Sequence, residues 1–188
     1  MYWLIENDKQ IKYLINKKYQ DVFIKIIPYN DNIHPILNNI SLIYFKAYND
    51  DKGYMLCVSH GETLSVNMTL INALISSIPN IWVQDKKQTL YYFPFKNIND
   101  LCLIDYKPPI VEYSNTHLYF QRKYEDNPEL NKIIPIVKHY ESCEKIYDSI
   151  KHKIKQLKPN HFEFYNNKVT IALLGIENNG INIEHDKF

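Results

Sequence analysis

Ile40-Ser-Leu-Ile-Tyr-Phe-Lys-Ala-Tyr48, Asn49-Asp-Asp-Lys-Gly53 and Tyr54-Met-Leu-Cys-Val-Ser59 follow one another without a gap and carry the strongest local signal in the chain. Two runs rich in β-branched and aromatic residues flank a short polar stretch ending in glycine, the pattern of a β-hairpin. Just upstream, Val22 to Ile27 is a third apolar run of strand length, and the Pro, Asn and Asp residues of Pro28 to Asn39 mark a loop. Three successive strands therefore make an antiparallel meander.

Outward from the meander the periodicity changes. Residues 2–5 read as a short strand, and Asp8 to Lys18 as a helix with Ile11, Leu14 and Ile15 on one face. Val66 to Ile78 is an amphipathic helix stopped by Pro79, Ile81 to Val83 a short strand, and Asp85 the cap of a helix reaching Tyr92. Ile98 to Tyr106 reads as a short helix ended by Pro108-Pro109. Helices are also expected over Ile134 to Leu157 and His161 to Asn178. Strands followed by a helix, a strand and further helices describe an α/β chain with a mixed sheet and flanking helices.

Composition narrows the function. With 188 residues, 45% of them hydrophobic and 14% aromatic, the chain is long enough for a real core. A net charge of +1 provides no overall field, so any contact with nucleic acid has to be local. No apolar run is long enough to span a membrane, and Met1-Tyr-Trp-Leu-Ile-Glu6 lacks the marks of a signal peptide. Cys57, Cys102 and Cys143 form neither a disulfide framework nor a metal pattern, which points to an intracellular, reducing compartment. The abundance of Ile, Asn, Lys and Tyr suggests an AT-rich genome, such as that of many phages. Seven histidines are scattered without ligand spacing, four glycines leave no phosphate-cradling loop, and no nucleophile elbow is present. Ser59 and His60, neighbours in sequence, point to different faces of a strand, so Ser59, His60 and Glu62 do not read as a hydrolytic cluster, and His60 reads as structural.

Near the end, Ala172-Leu-Leu-Gly-Ile-Glu-Asn-Asn-Gly-Ile-Asn-Ile-Glu184 resembles the segment where family A (polymerase I-like) DNA polymerases pass from the 3′–5′ exonuclease domain into the polymerase domain. Upstream segments resemble the same family in order. Asp21-Val-Phe-Ile-Lys-Ile-Ile-Pro28 is similar to its first strand motif, Trp82-Val-Gln-Asp-Lys-Lys-Gln-Thr-Leu90 to its second, and Lys138-His-Tyr-Glu-Ser-Cys-Glu144 to its Tyr-x-x-x-Asp helix. Asn99-Asp-Leu-Cys-Leu-Ile-Asp-Tyr106 looks like an intervening helix of the family. The resemblance implies a ribonuclease-H-like (DEDD exonuclease-like) fold. It also implies two domains: residues 1–158 exonuclease-like, and 159–188 a connecting helix with the start of a polymerase-type domain.

In that family four carboxylates hold two divalent metals that cleave the terminal phosphodiester. Carried over residue by residue, the ligand positions fall on Lys25, Ile27, Thr89 and Glu144, with Tyr140 at the water-orienting tyrosine. An ammonium repels a cation, isoleucine has no donor and threonine is a weak neutral ligand, so only Glu144 keeps a carboxylate. The expectation is a catalytically inactive domain without metal or cofactor, supporting DNA in replication or repair beside a polymerase domain, in cis or on a separate chain. Lys86, Lys87 and Lys138 are the candidate DNA contacts, since lysines interleave with aromatics there. Two rivals remain. One is a stand-alone interaction subunit docking through Ile176, Ile181, Ile183 and Phe188; the other is an active nuclease with a relocated site built from Asp21, Asp31, Asp100, Asp105 or Glu144.

Overall fold

The structure, a computed structural model, describes residues 2–48, 50–95, 97–101, 127–156 and 170–177. Its centre is β2 (Asp21–Pro28), which pairs antiparallel with β3 (Ile40–Ala47), and β3 pairs antiparallel with β4 (Tyr54–Cys57). That is the expected meander. On one side β1 (Trp3–Ile5) adds parallel to β4; on the other, β5 (Asn80–Val83) adds parallel to β2 and β6 (Ile98–Asp100) parallel to β5. The resulting six-stranded sheet has the order β1-β4-β3-β2-β5-β6, with β3 alone running against the rest.

Alternation along the strands sends side chains to two covered faces. Val22, Ile24 and Ile26 of β2 join Ile43 and Phe45 of β3 in one core cluster. Against that cluster pack α1 (Asp8–Asn16), through Ile11 and Leu14, and α2 (Met68–Ser77), through Ile71, Leu74 and Ile75. Both helices start on an asparagine whose side chain accepts from the first turn, Asn7 from the Gln10 amide and Asn67 from the Thr69 amide. On the opposite face, Phe23, Leu42, Tyr44 and Met55 are fully buried. The 21-residue helix Ile136–Gln156 lies over them, with the Tyr147 ring 5.7 Å from Phe23 and the Tyr140 ring 6.0 Å from Tyr44. A short helix, Leu130–Ile133, precedes it. These are α5 and α4, and α3 is Lys86–Tyr92, capped by Asp85 as the sequence predicts.

Two expectations are corrected. Ile98 to Asp100 is not the start of a helix but the edge strand β6, with Ile98 beside Ile81 and Asp100 beside Val83. Apolar residues over so short a stretch fit either period, and here the open edge of β5 offers a hydrogen-bonding ladder. The Asn97 amide fixes the entry by donating to the carbonyls of Ile75 and Ile78. Residues 102–126 lie outside the described residues. The long helix expected from Ile134 begins instead at Ile136, because Pro135 holds Ile134 extended (φ −72°, ψ 128°).

By its internal contacts the chain divides into Met1–Gln156 and Leu157–Phe188. In the second unit the described part is the helix at residues 170–177, where Leu174 is buried and Ile171, Leu173 and Ile176 are exposed. Residues 161–169, which the sequence also reads as helix, are outside the described residues. Among the described residues no helix is long and apolar enough to cross a membrane.

Candidate active site

Helix α5 buries Ile136, His139, Cys143, Tyr147 and Ile150, a stripe at helical spacing that faces the sheet. Tyr140 and Glu144 flank that stripe, on the side of β3. There Tyr44 and Lys46, two residues apart on one face of the strand, meet the helix. The Tyr44 hydroxyl donates to Glu144 Oε1 at 2.7 Å, and Lys46 Nζ donates to Oε2 at 2.7 Å. The ion pair is largely sheltered, with side-chain exposures of 7% for Lys46 and 22% for Glu144. Lys46 Nζ also lies 4.8 Å from the centre of the Tyr147 ring.

Glycine is required at the foot of this cluster. A Cβ on Gly53 would come within 2.7 Å of the Tyr44 ring, 2.8 Å of Glu144 Oε1 and 3.0 Å of the Tyr140 ring. The hairpin that decided the fold thus also lets its own turn approach Glu144. The Tyr140 ring packs tilted against that of Tyr2, just before β1, with centres 5.0 Å apart. Burial, and then the neighbouring Glu144, push the Tyr140 hydroxyl up to about 12, and the same two causes push Tyr44 well above the usual phenol range. Both tyrosines therefore stay protonated and act as donors to the carboxylate.

The other motif positions go elsewhere. Lys25 sits across from Tyr44 in the β2–β3 register, and its ammonium reaches Gln84 Oε1 at 3.4 Å, just past β5. Burial pushes the Cys143 thiol up to about 12, against the smaller pull of the Lys25 charge. Ile27 is 6% exposed and packs in the core. Thr89 is buried within α3, where its hydroxyl donates to the Asp85 carbonyl at 2.7 Å. The partners of Glu144 escaped the sequence reading. A lysine near the end of a largely apolar strand was the available signal, since a buried ammonium needs an acid.

A two-metal centre does not fit these residues. Lys25 and Lys46 bring positive charge where a dense negative cluster is needed, and both Glu144 oxygens are taken. Among the described residues no three His, Cys, Asp or Glu side chains come together in a way that could hold a metal ion. Of the acids considered for a relocated site, Asp21 accepts from the Trp82 indole at 3.1 Å, and Asp31 from the Asn131 amide at 3.2 Å. Asp105 and the Asp100 side chain are not among what is described.

Of the candidate DNA contacts, Lys86 is 4% exposed, which offers little to a nucleic acid; Lys87 is half-buried; exposed Lys138 pairs with Glu141 at 3.3 Å. Among the candidate partner contacts, Ile176 is exposed, while Ile181, Ile183 and Phe188 fall outside the described residues. Cys57 and Cys143 are buried free thiols.

His60 clasps the α4–α5 junction. The Glu62 amide donates to its Nδ1 at 3.2 Å, so Nε2 carries the proton toward the Ile134 carbonyl at 3.0 Å. Burial lowers its pKa, against smaller raising contributions from its hydrogen bond to Ile134 and from Glu62. Because the folded value is depressed, the stabilisation is complete above the unfolded value of about 6.5 and shrinks as pH falls below it, by up to about 1.4 kcal/mol per pH unit. Thermal melts from pH 7.5 to 5 are expected to fall more steeply for the wild type than for His60→Gln; parallel curves would remove His60 as the cause.

No protein-family model matches the chain, and no curated protein matches it. Solved structures do. The apo form of a nuclease aligns over 97% of this chain and 98% of its own, with a TM-score of 0.55 at 8% identity. The Nibbler EXO domain of Aedes aegypti aligns over 92% and 95%, with a TM-score of 0.48 at 14% identity. Escherichia coli RNase D, an exoribonuclease involved in structured RNA processing, aligns over 55% of this chain with a TM-score of 0.42 at 10% identity, and the chain spans 28% of its length. The sheet with its single reversed strand and flanking helices is thus a ribonuclease-H-like fold.

Proposed function

We propose that this chain is an exonuclease-fold domain that does not hydrolyse phosphodiesters and instead serves as a structural, DNA-supporting module in replication or repair. The observation that supports this most is the state of Glu144. Of the four positions that align with metal ligands it alone keeps a carboxylate, and both its oxygens are held by Tyr44 and Lys46. Divalent magnesium takes oxygen ligands in near-ideal octahedral geometry, and a single carboxylate held by a lysine and a tyrosine provides no such set. The pairing also gives a structural reason to keep an acid at this position without catalysis.

Placement beside a family A polymerase, in cis or on a separate chain, rests on the sequence of residues 172–184. The direct test uses 5′-labelled single-stranded DNA with magnesium or manganese. No shortening above the protein-free control is expected. Stepwise loss of 3′ nucleotides that disappears in Glu144→Gln would overturn the reading.

A further inference from the structure

Beside the edge strand β1 lies a cleft of about 610 Å3, between β1, α1 and the β3–β4 turn. Its volume falls within the roughly 300 to 1,000 Å3 of small-molecule sites. Two large aromatic side chains line it while staying in water, Trp3 at 51% and Tyr13 at 61% exposure. Three lysines share it. Lys52 Nζ sits 5.4 Å from the centre of the Trp3 ring, Lys17 Nζ sits 5.1 Å from that of Tyr13, and Lys9 projects from the same helix. Lys17 is also held in place, with its ammonium 3.1 Å from the Tyr54 hydroxyl.

Among the described residues no ion pair neutralises Lys9, Lys17 or Lys52, whereas Lys46, Lys132, Lys138 and Lys151 are each paired with an acid. Asp50 and Asp51 also line the cleft, so three ammonium groups face two carboxylates. Exposed rings beside unpaired ammonium groups match one chemistry in particular: a flat base that stacks, joined to a phosphate that needs a cation. The exposed carboxylate of Asp51 is in addition an acceptor for the amino group of a base.

We propose that this cleft binds a nucleobase with its phosphate, stacked on Trp3 and Tyr13 and held by Lys9, Lys17 and Lys52. The ligand is either a free nucleotide or a segment of single strand. The site is separate from the one around Glu144 and does not depend on whether that site is catalytic.

The chain has two tryptophans, Trp3 and Trp82, so a Trp82→Phe variant reports on Trp3 alone. Its fluorescence would be followed on adding a short oligodeoxycytidine or deoxycytidine monophosphate, in buffer containing EDTA so that cleavage plays no part. Quenching is expected, with Lys17→Ala and Lys52→Glu each weakening binding about tenfold and Trp3→Ala (followed by labelled oligonucleotide) doing likewise. Quenching by both ligands identifies a nucleotide site, and quenching by the oligonucleotide alone a single-strand site. Absence of quenching by either, or affinities unchanged in Lys52→Glu and Lys17→Ala, overturns the proposal. Lys52 lies in an exposed turn, so its variant tests binding without risking the fold.

Discussion

Replacing Glu144 with alanine is expected to lower stability by roughly 3 kcal/mol, the low end for breaking a sheltered ion pair because 22% of the glutamate side chain still meets water. The loss comes from what stays behind. Lys46 Nζ keeps its charge in a nearly closed place, and the Tyr44 hydroxyl loses its acceptor. For a chain of this size the melting temperature should drop by about 6 to 12 °C. A double variant, Lys46→Met with Glu144→Leu, should recover most of that, since apolar replacement of a buried pair is often neutral or better. If Glu144→Ala melts within about 2 °C of the wild type, the pair is not what retains the acid.

Phe23→Ala carries the other large effect, about 3 to 5 kcal/mol for truncating a fully buried phenylalanine. Phe23 stands between the Tyr44 ring at 6.1 Å and the Tyr147 ring at 5.7 Å, so the cavity opens under the middle of α5. The loss should therefore be uneven. Amide hydrogens of α5 from Tyr140 to Ile150 should exchange faster relative to wild type than those of α1, which packs on the other face. Equal acceleration in both helices would mean that the aromatic layer does not seat α5.

Much of the fold is legible in the sequence because its signals are local. The meander needs only three apolar runs and a polar turn, and Asp85 announces α3 by its own capping chemistry. Where short-range signals tie, tertiary contacts decide. Ile98 to Asp100 fit a helix as well as a strand until the edge of β5 is present to pair with them. The site divides in the same way. Spacing along α5 places Tyr140 and Glu144 together, one helical turn apart. It cannot disclose that Tyr44 and Lys46, 100 and 98 residues from Glu144, would take both its oxygens. Nor does spacing reveal that Lys25 reaches Gln84 rather than Glu144. A lysine within an apolar strand was the one visible hint, and it asks for an acid without saying which.

If Glu144 belongs to Lys46 and not to a metal, the chain should offer manganese no site there. Calorimetric titration of manganese into the full chain tests it most directly. No saturable heat is expected, and the same trace for wild type and Glu144→Gln. Tight two-site binding that is lost in Glu144→Gln would contradict it, and would require the carboxylate to leave Lys46 for a metal.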